Sequence, residues 1–504
     1  MRTTGPVEVE LKLAATASEL PRLRRRLDRF GAPLRTHVET IYYDTPDGLL
    51  SANGFALRLR RVGERWVQTL KSEAEAAALA RRGEWEWPLA RPVVDRARLA
   101  GTPLAPLLAA HPRARLVERF RTRFVRHAWT VEDNGARVEL ALDEGEILAG
   151  GRREAIRELE LELKAGRAQA LPALALRIAR AARGRSLALL PYGESKARRG
   201  QRLAAGAAPQ PVKANAQRIC ADLRADDSAA AALRRVVGRA TEVLLANAHG
   251  ALAHDDPEFV HQARVALRRM RSAVRLLRRQ VQFPAALKAD LRWIARALGA
   301  ARDWDVLAAE LLPAFEASLG TGLAAAFERL RAQAEQRRRR ARDEARAALA
   351  SARFALAALA LLEWSAAPPG DGPMLRTVAP KLLQRQRARL FDAAQGFAGL
   401  SAEKQHRVRV LAKRLRYALD FFAAALPGRA VAAYAKELAA LQDELGAVND
   451  VAVARARLRG LARSGALRDA LDAWAARMRR AHAMAAERRL ARLRRRPVPW
   501  RRDT

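Results

Sequence analysis

The 504-residue chain has a single cysteine, Cys220, which excludes an internal disulfide and a thiolate zinc centre. Aromatic residues are only 5% of the chain, too few to interleave with the basic residues as base-stacking platforms, so nucleic acid is expected to bind only non-specifically. Carboxylates are also short: 54 acidic residues face 93 basic ones, and a net charge of +39 predicts a polyanionic partner, whether nucleic acid, an anionic membrane or a phosphate polymer. Lysine supplies just ten of those 93. Arginine forks suit phosphate oxygens, although the codon usage of a GC-rich genome accounts for most of such an excess. The richest apolar run, Phe354–Leu362, is about half the length a bilayer span needs. A strand pattern begins by residue 7, so no secretory leader is expected. These absences together lead to the expectation of a cytoplasmic protein without membrane contact.

That opening strand is Val7–Leu13, VEVELKL, in which Glu8, Glu10 and Lys12 alternate with apolar residues. Period two places the three charged groups on one face, and like charges there require a countercharge or a metal. Seven more strand-like segments follow: Val38–Tyr43, Phe55–Arg61, Trp66–Lys71, Gly83–Pro88, Phe120–Val131, Arg137–Leu142 and Glu158–Lys164. Their ionic faces carry both signs. Arg58 and Arg60 share a face, as do Glu84 and Glu86, Arg121 and Arg123, Glu139 and Asp143, and Glu158, Glu160 and Glu162. Such strands either turn their charges to water or close into a barrel with an ionic lumen. A lumen of mixed sign requires a multivalent anion and metal ions to fill it, because unpaired buried charge is prohibitive.

Residues 1–203 thus read as a strand-rich domain, and 204–218, rich in Ala, Gly, Pro and Gln, as a linker. Residues 219–495 read as the helical domain and 496–504 as a basic tail, with the chain expected to fray as a basic extension from Arg488 onward. Two parts of the helical region, about 226–365 and 374–490, repeat each other. His261, Arg264, Arg268, Arg269 and Arg271 align with His406, Arg409, Lys413, Arg414 and Arg416, at an offset of 145 residues. Leu298-Gly299 and Asp303 align with Leu445-Gly446 and Asp450, and these segments are expected to be turns that end one helix and cap the next. On one helix His261, Arg264, Arg268, Arg271 and Arg275 form a single stripe. One basic stripe is an ordinary solvated face, whereas two related by duplication fit a groove for a linear polyanion. Arg275 extends the first stripe and Asp420 closes the second, so the repeats are not equivalent. The two histidines lack metal-ligand spacing and suit phosphate donation or the orienting of neighbouring arginines.

The paired H-x-x-R-V-x-x-[RK]-R-x-R segments resemble the CHAD family of conserved-histidine helical domains. The ordered set of Glu8-x-Glu10-x-Lys12, Arg58, Arg60, Lys71, Asp143, the ELELELK strand and Lys196 resembles the CYTH family of triphosphate tunnel enzymes. Only four lysines occur in residues 1–203, and three of them, Lys12, Lys71 and Lys196, fall on the family's active-site positions. The resemblance implies an α+β multidomain protein: an eight-stranded antiparallel β tunnel or barrel with flanking helices, then an all-α duplicated helical bundle. It implies an inorganic triphosphatase holding Mg²⁺ or Mn²⁺ on Glu8, Glu10, Asp143 and members of the Glu158, Glu160 and Glu162 set. Lys12 would position substrate or the first-strand glutamates. Arg58, Arg60, Lys71, Lys196 and one or both of Arg121 and Arg123 would clamp the triphosphate. Inorganic polyphosphate would bind through His261, Arg264, Arg268, Arg271, Arg275, His406, Arg409, Lys413, Arg414 and Arg416, and would draw the protein to polyphosphate granules. The alternatives are a non-catalytic polyphosphate-binding protein, and a tunnel enzyme acting on a nucleoside or thiamine triphosphate or forming cyclic AMP.

Overall fold

The computed structural model describes residues 7–72, 79–180, 184–426 and 428–500. Contacts divide the chain into two compact units. The first is Met1–Val212 with Leu245–His254 and Leu349–Ala367, and the second is Lys213–Leu244 with Asp255–Ala348 and Pro368–Thr504.

In the first unit the alternating segments all become strands: β1 (Val7–Ala14), β2 (Leu34–Asp44), β3 (Phe55–Val62), β4 (Arg65–Ser72), β5 (Leu79–Leu89), β6 (Val117–Asp133), β7 (Ala136–Ala149) and β8 (Arg152–Ala165). They are longer than the sequence pattern indicates because two-residue turns join the last three. Asn134-Gly135 and Gly150-Gly151 all have positive φ, the geometry that lets a tight hairpin follow strand twist. Neighbours run antiparallel in the order β5-β4-β3-β2-β6-β7-β8-β1, and pairing of β1 with β5 closes an eight-stranded barrel. A two-residue strand, β9 (Leu190–Pro191), adds to the far end of β1.

The helices of the chain are α1 (Leu20–Leu27), α2 (Leu49–Ala52), α3 (Ala105–Ala110), α4 (Ala170–Ala179), α5 (Lys196–Ala205), α6 (Ala216–Ile219), α7 (Ala229–Ala253) and α8 (Pro257–Leu276). They continue as α9 (Ala285–Val306), α10 (Leu312–Glu316), α11 (Ala324–Leu349), α12 (Ala352–Ala366), α13 (Leu375–Ala393), α14 (Ala402–Phe422), α15 (Gly428–Arg459) and α16 (Gly465–Arg495). Outward-facing Leu11, Leu13, Leu159 and Leu161 are fully buried, because α4 lays Leu171, Leu174 and Ile178 over β1 and β8. Helix α12 packs on α4 in turn. Its sequence is apolar almost all round, with Phe354, Leu359, Leu361 and Leu362 buried, and such a helix needs cover on every side.

The boundary expected at residue 203 is therefore drawn differently by packing. Helix α12 and the end of α7 lie in the first unit, although both fall in the stretch read as the helical domain. The segment read as a linker is anchored too: Val212 N–H donates to Asn247 Oδ1 at 3.1 Å, and Asn247 Nδ2 donates to Val212 O at 2.9 Å.

The second unit is helical. Asp256, Ser401 and Ser464 cap α8, α14 and α16 by accepting backbone N–H groups in the first turn. One core gathers Phe315, Phe327 and Trp474, with ring centroids 6.0 Å and 5.4 Å from Phe315. The tail expected to fray does not do so over its described part. Residues 488–495 continue α16, where Leu490 and Leu493 are buried, and Trp500 is buried beside Tyr434 with Nε1 donating to Gln384 Oε1 at 3.2 Å. Residues 501–504 of that tail lie outside the described residues. Among the described residues no single helix is long and apolar enough to cross a membrane.

Candidate functional site

The barrel encloses a charged cavity of about 290 Å³. Strand alternation directs Glu8, Glu10 and Lys12 of β1 into it, together with Arg58 and Arg60 of β3, Lys71 of β4, Glu84 and Glu86 of β5, Arg126 of β6, and Glu160 and Glu162 of β8. Ser195 caps α5 by accepting from Arg198 N at 3.1 Å, which sets Lys196 at the first helical position, facing inward. The cavity ends against an apolar cluster that includes Tyr42, Ala56, Phe120, Phe124, Ile156 and Ala197.

Nearly every charge in this lumen is neutralised by a neighbour. Lys71 Nζ lies 2.6 Å from Glu8 Oε2 and 3.1 Å from Glu84 Oε1. Glu10 Oε1 lies 2.9 Å from Arg82 and 3.1 Å from Lys12, whose Nζ is also 3.3 Å from Glu160. Arg126 donates to both oxygens of Asp143 at 2.8 Å and 2.7 Å, and to Glu160 at 2.5 Å. Lys196 donates to Asp143 at 2.7 Å, to Glu160 at 3.0 Å and to Glu158, which Arg199 also holds at 3.0 Å. Burial opposes charge on Lys196, but Asp143, Glu158 and Glu160 outweigh it and hold the ammonium well above its usual range. Glu160 moves the opposite way: against burial, Lys196, Lys12 and Arg126 hold it well below the usual carboxylate range. Burial, helped by Glu8 and Glu139, raises Glu162.

Arg60 is the exception. Its buried Nε has no hydrogen-bond partner, and burial followed by the like charges of Arg58 and Arg126 pushes it down to about 10. Three guanidinium groups thus converge, and among the described residues no carboxylate forms an ion pair with the middle one, although Glu86 acts on it from a distance. Opposite in sign, Asp143, Glu158 and Glu160 each offer an oxygen within 4.8 Å of the others. This hard-oxygen donor set suits a divalent cation, and in this structure the Lys196 ammonium is hydrogen-bonded to all three carboxylates.

In the second unit α8 and α14 bring both basic stripes together. Arg268 donates to the Tyr417 hydroxyl, and Arg264 and Arg409 approach Asp303 and Asp450 at 3.6 Å and 3.3 Å. Burial and the neighbouring Arg409 and Arg268 push Lys413 down to about 7. His406 Nδ1 is 2.6 Å from Asn449 Oδ1, whereas His261 is lowered by burial and by Arg302. The Leu-Gly segments are not turns. Gly299 lies inside α9 and Gly446 inside α15, so Asp303 and Asp450 are mid-helix residues one turn further on. A Cβ on Gly299 would come within 2.8 Å of Arg264 Nη1, so glycine here clears space for the guanidinium.

The family model of the CYTH domain matches residues 7–199, and that of the CHAD domain matches residues 235–459. The chain is 33% identical to the CHAD domain of the plant Ricinus communis, with a TM-score of 0.50, covering 57% of this chain and 99% of that one. The chain belongs to the CYTH and CHAD families. The chain is also 33% identical over 169 residues to an inorganic triphosphatase of Haemophilus influenzae, covering 32% of this chain and 47% of that protein. It therefore spans about half the length of the curated relative it matches.

Within the CYTH domain, the residues singled out on β1, β3, β4 and β8, with Lys196, meet in one cavity, and Asp143 and Glu158 lie behind it on Arg126, Lys196 and Arg199. Arg121 and Arg123 do not join them. Arg121 pairs with Glu118 and Glu39, and Arg123, 57% exposed, pairs with Glu39 beside an outer cleft of about 900 Å³. Strand parity is the cause: Phe120, Thr122, Phe124 and Arg126 form the inward face of β6, opposite to Arg121 and Arg123. Sequence reasoning missed Arg126 and Arg82. Each has a usable signal, since Arg126 is in phase with Phe124 and Arg82 is in phase with Glu84 and Glu86. Within the CHAD domain, Arg271, Arg275 and Arg414 lie away from the Lys413 group, among other arginines.

Proposed function

We propose that the CYTH domain hydrolyses inorganic triphosphate to pyrophosphate and phosphate, and that the CHAD domain binds inorganic polyphosphate. The observation that carries the first part is Arg60, beside Arg58 and Arg126, whose buried Nε has no hydrogen-bond partner among the described residues. Groups of one sign are stable so close together when a multiply charged anion lies among them. A terminal phosphoryl group on these three arginines would have its negative charge compensated, with Lys71 and Lys196 on its flanks. Lys12, held by Glu10 and Glu160, keeps the β1 carboxylates in place.

Mg²⁺ or Mn²⁺ would be held by Asp143, Glu158 and Glu160, with Glu8, Glu10 and Glu162 as further oxygen donors. When bound it supplies charge neutralisation to the phosphate oxygens. Water attacks the terminal phosphorus, a new P–O bond forms, the bridging P–O bond breaks, and pyrophosphate leaves. A lumen carboxylate that the metal does not engage would accept the proton that water gives up.

An inorganic substrate is favoured over a nucleotide because Tyr42 is the only aromatic among the described lining residues, and it stacks on Phe120 at 4.4 Å. No second ring is available there to sandwich a base. The CHAD reading is supported by the Arg264, Arg268, Arg409 and Lys413 group, where cations outnumber the two carboxylates on facing helices.

The test is phosphate release from triphosphate, ATP and long-chain polyphosphate with Mg²⁺ or Mn²⁺. Metal-dependent release from triphosphate is expected, falling by about 10²-fold or more in Glu8→Gln/Glu10→Gln. No turnover of any substrate by the wild type, together with polyphosphate binding, would leave a binding protein in place of the hydrolase.

A further inference from the structure

An ammonium has three N–H groups, and those of Lys196 reach Asp143 Oδ2 at 2.7 Å, Glu160 Oε1 at 3.0 Å and Glu158 Oε1. These are the same three carboxylates whose oxygens lie within 4.8 Å of one another. The ammonium therefore takes the contacts that a divalent cation would need. Its position makes it a gate as well. Lys196 and Glu160 line the cavity, whereas Asp143 and Glu158 are 0% and 1% exposed and stand behind them. A cation entering from the lumen reaches the two deeper carboxylates only when the ammonium moves aside.

Lys196 can leave without stranding a buried charge. Asp143 keeps both of its bonds from Arg126, Glu158 keeps Arg199 at 3.0 Å, and Glu160 keeps Arg126 and Lys12. With the ammonium in place, Lys196, Arg126 and Arg199 already balance the three carboxylates. A divalent ion added to that set would bring two uncompensated positive charges into a buried site. A multiply charged anion in the lumen changes the balance, because it draws the ammonium toward itself and offsets the metal. The side chain suits the move: the Ser195 cap fixes the start of α5, while the four-carbon stem of Lys196 is flexible. We propose that Lys196 is a resident cation that keeps divalent metal off Asp143, Glu158 and Glu160 until a triphosphate-like anion draws its ammonium into the lumen. Metal and anion then each bind more tightly in the other's presence. This rests on the reading of the lumen as a metal-dependent triphosphatase site, and it adds which residue regulates entry of the metal.

The experiment measures Mn²⁺ binding to the full-length protein by water-proton relaxation, which registers Mn²⁺ on the slowly tumbling protein rather than free in solution. Without anion, Lys196→Met and Lys196→Gln are each expected to bind Mn²⁺ about tenfold or more tightly than wild type. Imidotriphosphate, a triphosphate that resists hydrolysis, is expected to tighten Mn²⁺ binding by a similar factor in wild type and by much less in either variant. Mn²⁺ alone should raise the melting temperature of both variants and leave that of wild type nearly unchanged, a rescue that the loss of a merely structural lysine would not show. Adding Glu160→Gln to Lys196→Met is expected to abolish the gain in Mn²⁺ affinity. If the folded variants bind Mn²⁺ no more tightly than wild type, Lys196 does not guard the site and the inference is overturned. If neither variant folds, the wild type decides: tighter Mn²⁺ binding with imidotriphosphate supports the inference, and equal binding overturns it. If the wild type and the variants all fail to bind Mn²⁺ even with imidotriphosphate, the metal-dependent reading of the lumen fails and this inference fails with it.

Discussion

Lys413 sits on α14 among Arg409, Arg268 and Arg264, with Asp450 as the acidic group acting on it. Burial, then Arg409 and Arg268, brings its ammonium down to about 7 from an ordinary 10.5. Near neutral pH about half the molecules therefore carry it uncharged. A bound polyanion favours the ammonium, so binding above pH 7 takes a proton from solvent, and affinity falls as pH rises from 6 to 8. Calorimetry in buffers of different ionisation heat should detect uptake of up to one proton at pH 7.5, abolished in Lys413→Arg. Absence of uptake in the wild type would refute this. The sign for stability follows from the same shift. The unfolded chain binds more protons between pH 7 and 10.5, so the destabilising effect of charging Lys413 in the fold fades as pH rises through that window. Its position was legible from the repeat, but its titration was not, because the cations that depress it come from two helices 145 residues apart. Arg126 escaped for a related reason. On the β6 face inside the barrel Phe120, Thr122 and Phe124 precede Arg126 and form the apolar end of the lumen, so this stretch does not read as ionic.

At the scale of the element, the strands were the most readable part. Period two specifies a barrel strand wherever one face is ionic, and the Asn134-Gly135 hairpin carries its own signature. The two repeat glycines were misread because Leu-Gly before an aspartate looks like a helix end. In the fold they are interior helix positions with different neighbours. Gly446 has nothing within 4 Å of a built Cβ, so Gly446→Ala is expected to stabilise by about 1 kcal/mol, read as a rise in melting temperature. Gly299→Ala meets the end of the Arg264 side chain instead. It should leave the melt near wild type but weaken polyphosphate binding by displacing that guanidinium. Equal effects on both measurements from the two substitutions would show that the clearance around Arg264 is unimportant.

Across the whole molecule, composition separated a strand-rich half from a helical half, yet it could not assign α12. An Ala/Leu helix reads alike in either setting, and only packing shows that it covers α4. A fragment ending at residue 203 therefore leaves α4, buried along most of its length, without the helix that packs on it. It is expected to bind an apolar dye and to elute as aggregates in size-exclusion chromatography. A monomeric fragment with a sharp melt would contradict this. The same feature constrains inheritance. Because α12 is encoded far downstream of the barrel it covers, no single crossover in the gene separates the two modules cleanly. A recombination event at the apparent linker would join a barrel from one ancestor to a covering helix from another, so α4 and α12 should be inherited as a matched pair.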